Sequence, residues 1–227
     1  MKIPQHIVLF PDGNRRWAKQ KGLSIEEGYL KGKDKFSDFL SWCKKRGVKA
    51  VTVFGFSSEN WKRPQDQVNF LMNLFEKYLV DGIDEFNKEE VKVKVIGQKE
   101  KLSDSLKSVI EKVEKATEKN KKMQLNLAVS YGGKWDIVNA VQQIIKEEIP
   151  AERVTEELFG NYLSTAGLIS PDLIIRVGGE VRLSNFLLWQ AAYSELYFSN
   201  KLWPEFTQKD FDMALQEYNL RQRRFGH

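Results

Sequence analysis

The stretch HIVLFPDGNRRWAK, residues 6–19, passes from an apolar run into a polar and charged turn. Residues 6–10 form a short apolar run that is typical of a buried strand. Gly13 and Asn14 favour a tight turn, so the next helix is predicted to begin near Arg15. A buried strand that leads directly into a helix is the building unit of α/β folds. The stretch therefore predicts an α/β architecture with a polar turn at the end of its first strand.

Apolar runs and helical patterns alternate along the rest of the 227 residues. The predicted strands are residues 6–10, 48–56, 91–97, 123–131, 172–179 and 195–199. No low-complexity linker or internal repeat separates them. We therefore predict one domain over residues 1–227, an α/β fold with a mainly parallel six-stranded sheet that is flanked by helices.

The composition argues against several kinds of chemistry. Because His6 and His227 are the only histidines, a multi-histidine zinc site and a Ser-His-Asp triad are both disfavoured. The single cysteine, Cys43, lies on an apolar helix face and is expected in the core of a protein from a reducing compartment. No apolar run approaches the roughly 18 residues that a membrane span needs. A cytoplasmic protein is expected, and contact with a membrane surface stays open.

The net charge of +5 makes nucleic acid and phosphorylated small molecules two candidate classes of partner. The charge-rich tract at residues 99–122 carries both signs and has apolar residues at helical spacing, which favours a solvated helix. Nucleic-acid binding would need exposed aromatic residues between the cations, whereas the aromatic residues here lie in apolar patterns. We therefore predict no nucleic-acid partner.

Polar residues and glycines cluster where four of the predicted strands end. They lie at residues 12–14 after the first strand, 57–61 after the second, 132–133 after the fourth and 176–179 at the end of the fifth. The carboxyl ends of parallel strands share one edge of the sheet, and ligands bind there. We expect the four turns to converge in a binding site.

The first turn combines Asp12 with Arg15 and Arg16 at a predicted helix start. Backbone N–H groups at such a start bind anions, and arginines strengthen the site. A carboxylate among phosphate-binding groups is a natural ligand for the Mg²⁺ that accompanies diphosphates. Residues 12–14 taken alone fit an ordinary Asp-Gly turn better, and only the combination favours a metal and phosphate site.

Two further segments allow two interpretations each. GFSSENWKRP, residues 55–64, is either a binding loop or the N-cap region of the next helix. RVGGEVRLSN, residues 176–185, is either a second phosphate pocket or the start of an apolar helix capped by Ser184. Neither pair of adjacent glycines fits a dinucleotide or ATP pattern. The predicted helix from Gln65 to Phe86 is apolar over a wide arc, which fits a buried helix and also one that faces a lipid-shaped cavity.

Together these segments resemble the cis-prenyltransferases. The resemblance is carried by HIVLFPDGNRRWAK, FGFSSENWKRP, LNLAVSYGGKWDIV, DLIIRVGGEVRLSNFLLWQAAYSELYF, LWPEF and the terminal RQRRFG. It implies a transferase that adds isopentenyl diphosphate units in cis configuration to an allylic diphosphate such as farnesyl diphosphate. It also implies Mg²⁺ as cofactor, a homodimer, and a long-chain product such as undecaprenyl diphosphate.

The resemblance assigns roles residue by residue. Asp12 would be the catalytic aspartate and a Mg²⁺ ligand, Asn60 would assist proton removal, and Glu195 would be a second metal ligand. The residues that would hold the allylic diphosphate or form the mobile loop over it are Gly13, Asn14, Arg16, Trp17, Ser57, Ser58, Glu59, Trp61 and Arg63. The residues implied for isopentenyl diphosphate are Arg176, Arg182 and Ser184, and Leu183 is also expected to bind substrate.

Four positions depart from the family pattern. Arg15 stands where the family usually has glycine, Tyr29 where it has histidine, Ile25 where it has arginine, and Val181 where some members have histidine. We expect Arg15 and Tyr29 to contact substrate, and Arg15 or Lys21 to replace the lost positive charge. The alternative function is a non-catalytic isoprenoid-binding or regulatory subunit of the same fold. The retained catalytic and arginine positions argue against it.

Overall fold

The computed structural model describes residues 2–221. Six parallel strands form one sheet in the order β3-β4-β2-β1-β5-β6. The strands are β1 His6–Phe10, β2 Ala50–Ser57, β3 Val91–Ile96, β4 Met123–Tyr131, β5 Leu173–Arg176 and β6 Glu195–Phe198. The predicted α/β fold with a six-stranded parallel sheet is confirmed.

Helices cover both faces of the sheet. They are α1 Asn14–Lys21, α2 Ile25–Lys45, α3 Gln65–Lys88, α4 Asp104–Ala116, α5 Gly133–Lys146, α6 Glu156–Tyr162 and α7 Gln208–Leu220. Every residue of β1 is buried, as expected for a central strand with both faces covered. Ile7 and Leu9 belong to the larger of two hydrophobic clusters, and Val8 and Phe10 belong to the other. The sheet therefore separates two cores.

Close contact between α1 and α2 fixes the position of the first turn. A side chain at Gly28 would approach the backbone oxygen of Asn14 to 2.6 Å, and one at Gly32 would approach the Asn14 side chain to 2.2 Å. Both glycines lie within α2, where glycine is otherwise unfavourable. The absence of a β-carbon at these two positions lets α2 pack directly against the start of α1.

Two local predictions, those for Cys43 and for residues 99–122, are confirmed. Cys43 is a fully buried free thiol in the larger core. The charge-rich tract forms α4, which buries Leu106, Ile110 and Val113 and leaves its charged residues toward solvent. None of the helices within residues 2–221 has the length and apolar character that crossing a bilayer requires. Most of the terminal RQRRFG segment, residues 222–226, lies outside the described residues.

The predicted apolar helix after Ser184 is wrong. The chain between β5 and β6 consists of turns, with backbone φ angles of 47° at Ser184, 63° at Asn185 and 46° at Leu187. These left-handed conformations cannot occur inside a right-handed helix. The segment instead buries Phe186 and Leu187 in the smaller core, so its apolar residues serve packing without helical periodicity.

A buried polar network crosses the centre of the sheet. The ring of His6 contacts the carbonyl oxygen of Ile169 through Nδ1 at 2.6 Å and the hydroxyl of Thr52 through Nε2 at 2.7 Å. Asn126 donates to the same hydroxyl at 2.9 Å. Because a carbonyl oxygen only accepts, Nδ1 carries the proton and Nε2 accepts from Thr52. Burial lowers the pKa of His6, although the carbonyl of Ile169 and the charge of Asp172 oppose that effect.

We expect acid to weaken the fold through His6. Its pKa is depressed in the folded state, so between that depressed value and the unfolded-state value of about 6.5 the unfolded chain binds this proton more readily than the folded chain. Within this interval the free energy of unfolding should fall by up to about 1.4 kcal/mol per pH unit as the pH is lowered. Urea titrations at pH 7.5 and 5.5 measure the change. The His227→Gln variant should show the same loss, whereas an unchanged stability in both proteins would contradict the assignment.

Candidate active site

The turns after β1, β2 and β5 meet at the carboxyl edge of the sheet, around the mouth of a cavity of about 1160 Å³. Phe10 is in register with Arg176, which places the first and fifth turns side by side. The predicted site residues that line this cavity are Asp12, Gly13, Asn14, Arg15, Arg16, Tyr29, Ser57, Glu59, Asn60, Arg63, Arg176, Arg182 and Ser184. The structure therefore brings most of the predicted site together.

An ion pair between Asp12 and Arg176 forms the centre of the site. The Nε and Nη2 atoms of Arg176 contact Oδ2 of Asp12 at 3.0 and 2.9 Å. The Arg176 side chain is 6% exposed and lies 4.7 Å above the ring of Phe10, whereas the Asp12 side chain is 37% exposed. Both contacts go to Oδ2 of the carboxylate, and within residues 2–221 no hydrogen bond or ion pair engages the other oxygen of Asp12, which can accept a ligand.

Arg176 also holds the loop that follows its own strand. Its Nη1 atom donates to the hydroxyl of Ser184 at 2.8 Å and to the backbone oxygen of Arg182. A planar guanidinium can serve partners on several sides at once. Arg176 thus links the Asp12 turn to the loop that was predicted to bind isopentenyl diphosphate.

Two exposed arginines flank the carboxylate of Glu180. Arg182 contacts it at 2.6 Å and Arg16 at 3.8 Å, and Arg16 also donates to the backbone oxygen of Gly178 at 2.6 Å. The side chain of Arg16 is 51% exposed and that of Arg182 is 60% exposed, so these surface ion pairs contribute little to stability. Both guanidinium groups can therefore turn to a bound diphosphate at small cost. Sequence reasoning did not single out Glu180 as their common partner.

The loop after β2 is a short 3₁₀ helix, Ser58–Lys62. The side-chain oxygen of Asn60 accepts from the backbone N–H of Ser57 at 3.1 Å, which confirms the capping interpretation without excluding a binding role. Trp61 packs edge-on against Phe56 and donates to the hydroxyl of Ser130 at 2.8 Å. Trp61 therefore anchors the loop to β4, and Asn60 lines the cavity.

The carboxylate of Glu59 lies at the rim of the same loop. Partial burial pushes the pKa of Glu59 up. Hydrogen bonds from Asn185, from its own backbone N–H and from the hydroxyls of Ser57 and Ser58 outweigh that effect, so its pKa lies below the usual value. Glu59 is therefore a carboxylate at neutral pH.

The fourth turn does not offer a free helix N-terminus. The first two backbone N–H groups of α5, those of Gly133 and Lys134, are bound at 2.6 and 2.9 Å to the backbone and side-chain oxygens of Asn185. Asn185 lines the cavity, although it was not among the predicted site residues. Its place directly after Ser184 and the tolerance of asparagine for left-handed backbone were the available signals.

Below the polar mouth the cavity is apolar. Its inner residues come from α2, β2, α3 and β4: Phe36, Val53, Phe54, Leu71, Leu74, Phe75, Tyr78 and Leu127. A side chain at Gly55 would approach the ring of Phe75 to 2.9 Å, so this glycine keeps space for the ring beside the strand. Both interpretations of the predicted helix 65–86 therefore apply, because α3 buries Leu79 and Phe86 in the core and lines the cavity with other residues.

Some predicted residues lie outside the cavity lining. Trp17, Ser58, Trp61 and Leu183 are near the turns but do not line the cavity. Glu195 begins β6 and is in register with Leu173, at the amino edge of the sheet, where it pairs with Arg221 at 3.2 Å. The site is at the opposite edge. Within one chain, Asp12 and Glu195 therefore lie at opposite edges of the sheet.

A sequence model of the undecaprenyl diphosphate synthase family of prenyltransferases matches residues 10–226. The chain belongs to this family. Isoprenyl transferase from Thermotoga maritima is 44% identical over all of this chain and 98% of its own length. A Legionella pneumophila enzyme is 42% identical over 99% of this chain and 96% of its own, and it is named a ditrans,polycis-undecaprenyl-diphosphate synthase specific for (2E,6E)-farnesyl diphosphate.

A solved structure extends the comparison to the fold. Lavandulyl diphosphate synthase from Lavandula x intermedia, in complex with dimethylallyl diphosphate, superposes with a TM-score of 0.94. It is 35% identical, and the match covers 99% of both chains. Family members with the same architecture are thus named for different products.

The departures from the family pattern concentrate at one end of the cavity. Arg15, Ile25 and Tyr29 all line it, whereas Val181 is 71% exposed. The hydroxyl of Tyr29 accepts from Arg63 at 3.0 Å and so connects α2 to the end of the β2 loop. No ion-pair partner for Arg15 is present within residues 2–221. Lys21, the other candidate for the missing charge, lies 4.0 Å from Glu205 and does not line the cavity.

The residues fit one Mg²⁺ ion held jointly with substrate. Among the described residues, no group of three or more His, Cys, Asp or Glu side chains is placed to hold a metal alone. Mg²⁺ is commonly bound by one or two carboxylates together with phosphate oxygens. Asp12, which lies between the arginines of two turns, would supply that single carboxylate.

Proposed function

We propose that this family member extends farnesyl diphosphate with isopentenyl diphosphate units in cis configuration and releases undecaprenyl diphosphate, the lipid carrier for cell-wall synthesis. The observation that carries the proposal is the combination of two arginine-bearing turns at one sheet edge with a deep apolar cavity beneath them. The first feature suits two diphosphates side by side, and the second suits a growing hydrocarbon chain. The cavity, about 1160 Å³, exceeds the roughly 300–1000 Å³ typical of drug-sized ligands.

Each round of the reaction breaks the bond between C1 of the allylic substrate and its diphosphate. A new bond joins that carbon to C4 of isopentenyl diphosphate, and one proton leaves C2. Arg16 and the N-terminal N–H groups of α1 stabilise the negative charge on the leaving diphosphate. Arg182 and Ser184 hold the diphosphate that is retained. Asn60 assists removal of the proton, and the apolar cavity keeps water from the allylic cation.

The cofactor of the proposed reaction is Mg²⁺. It would be held by Asp12 and by diphosphate oxygens, and when bound it supplies charge neutralisation for the departing diphosphate. The proposal does not need Glu195 of the same chain. The retained Asp12 and arginine pockets also argue against the alternative of a non-catalytic subunit.

Incubation of the purified chain with farnesyl diphosphate, labelled isopentenyl diphosphate and Mg²⁺ tests the proposal directly. We expect a ladder of extended products that ends at undecaprenyl diphosphate, and no extension when EDTA replaces Mg²⁺. A parallel reaction primed with geranylgeranyl diphosphate or dimethylallyl diphosphate establishes the preferred primer. Failure to extend any primer would refute the enzyme assignment.

Arg15 is expected to bind the allylic diphosphate in place of the cations that are absent at Ile25 and Tyr29. A charge-assisted hydrogen bond of about 1.5–3 kcal/mol corresponds to a loss of about one to two orders of magnitude in farnesyl diphosphate affinity for Arg15→Ala. Calorimetric titration measures this affinity. Lys31→Ala removes an exposed cation of α2 that does not line the cavity, and it should leave the affinity unchanged. Equal affinities of Arg15→Ala and wild type would place Arg15 outside the site.

We further propose a cytoplasmic homodimer. The exposed face of α5 carries Val138, Val141 and Ile145, which are 54%, 42% and 70% exposed and follow one another at helical spacing. An apolar stripe of this kind is typical of a surface that another protein covers, and a second copy of the chain is the proposed occupant. Peripheral contact with a membrane, through the cavity mouth near the exposed Leu23, would allow product release.

We expect Ile145→Lys to convert the dimer into a monomer, because a buried charge at a self-complementary interface is costly in both copies. Sedimentation velocity at micromolar concentration distinguishes the two states. Lys146→Ala, at the neighbouring exposed position, should leave the dimer intact. A wild-type chain that sediments as a monomer would contradict the proposal.

A further inference from the structure

We propose that Asn185 is a positioning residue that joins the loop of Arg182 and Ser184 to the loop of Asn60, and so sets the distance between the two substrates' binding groups. The inference rests on the proposed function, which supplies the roles of those loops. It adds a residue that neither the sequence motifs nor the family comparison assigned.

Asn185 is hydrogen-bonded to two other turns at once. Its Nδ2 donates to Oε1 of Glu59 at 2.8 Å, in the loop after β2. Its Oδ1 accepts from the backbone N–H of Lys134 at 2.9 Å, and its backbone oxygen accepts from that of Gly133 at 2.6 Å. One residue therefore connects the ends of β2, β4 and β5.

The orientation of the Asn185 amide follows from its partners. The backbone N–H of Lys134 can only donate, so it requires the oxygen of the amide. The nitrogen is then directed to Glu59, whose carboxylate can only accept. Both hydrogen bonds fail if the amide is rotated by half a turn. The link is therefore specific for an amide, and its bond to a carboxylate is of the stronger, charge-assisted kind.

Both sides of the turn around Asn185 are fixed. Ser184, the preceding residue, accepts from the buried Arg176. The backbone of Asn185 has a φ of 63°, a left-handed conformation that asparagine tolerates better than most residues. The turn is thus tied to β5 on one side and to the β2 loop on the other.

The junction with the β2 loop is closely packed. A side chain at Gly132 would approach the hydroxyl of Ser58 to 2.4 Å and Nδ2 of Asn185 to 2.9 Å. Glu59 immediately precedes Asn60, whose side chain caps Ser57 and lines the cavity. A displacement of the Asn185 side chain therefore moves Glu59 and, through it, the adjacent Asn60, the residue proposed to assist proton removal.

Asn185→Asp breaks the link and little else. Aspartate has the same shape, also tolerates left-handed backbone, and keeps an oxygen for the N–H of Lys134. It replaces the donor to Glu59 by an acceptor, so two carboxylates face each other. We expect kcat to fall by about tenfold or more, with the KM for isopentenyl diphosphate raised more than that for farnesyl diphosphate. The melting temperature should stay close to that of the wild type.

Adding Glu59→Gln to Asn185→Asp should restore the link with its polarity reversed, because the new amide at position 59 can donate to the new carboxylate at position 185. We expect the double variant to have at least threefold higher kcat than Asn185→Asp. Asn69→Asp introduces the same charge at an exposed position of α3 and should behave as wild type.

Two results would overturn the proposal. One is that Asn185→Asp has the kinetics of the wild type. The other is that the fold-loss of kcat in the double variant equals the product of the fold-losses measured for Asn185→Asp and for Glu59→Gln alone. An inactive wild-type enzyme would instead contradict the proposed function, so the two failures are distinguishable. A purely structural role would lower the melting temperature without this coupling.

Discussion

Asp12→Asn is expected to lower the single-turnover rate of chain elongation, from farnesyl diphosphate and isopentenyl diphosphate, by at least about a hundredfold. The amide keeps the size of the side chain and removes the negative charge on which Mg²⁺ binding depends. Loss of one preorganised electrostatic contact at a developing charge costs about 10²–10³ in rate. Single-turnover measurements of chain elongation are the appropriate assay, because they exclude product release.

A stability change should accompany that loss, since Asp12 is the ion-pair partner of the buried Arg176. Circular dichroism and thermal melting of Asp12→Asn must therefore be recorded beside the kinetics. Asp81→Asn, at an exposed position of α3, is the charge-matched control and should retain full activity. Turnover of Asp12→Asn within a few-fold of wild type would remove Asp12 from the reaction.

Arg176→Lys is expected to lower kcat/KM for both substrates by more than about a hundredfold. Lysine keeps the positive charge, but its compact ammonium cannot serve Asp12, Ser184 and the backbone of Arg182 together. Because the Arg176 side chain is 6% exposed, the melting temperature should also fall by about 5 °C or more.

Arg182→Ala provides the contrast. Its side chain is 60% exposed, so truncation should leave the melting temperature unchanged and raise the KM for isopentenyl diphosphate by about tenfold or more. Steady-state kinetics with each substrate varied in turn separates the two arginines. Equal effects of both variants on both KM values would show that the diphosphate pockets are misassigned.

The strands were predictable because their signal is local. The predicted first and last residues of the strands 6–10 and 123–131 are those of the structure, because a buried parallel strand is a continuous apolar run between polar turns. The predicted fifth strand ran three residues too far. Gly178 and Gly179 have φ angles of 87° and 77°, so the chain leaves the sheet after Arg176.

The turns and their partners were harder to predict. Nothing in the sequence requires left-handed backbone at Leu187, so the apolar residues around it resemble a helix. Asn185 and Glu180 matter through contacts with residues distant in sequence, such as Glu59 and Arg16. Glu195 was placed near the metal by resemblance alone, although the predicted strand 195–199 already put it at the amino edge of a parallel sheet.

The position of β1 between β2 and β5 has a consequence during synthesis of the chain. Asp12 leaves the ribosome 164 residues before its partner Arg176, which corresponds to roughly 8 to 33 s at about 5–20 residues per second. Through that interval β1 can pair with β2, but the backbone N–H and C=O groups along its other edge stay unpaired. The nascent chain therefore presents an unpaired strand edge to chaperones or to other nascent chains until its last quarter emerges, and the active site forms only then.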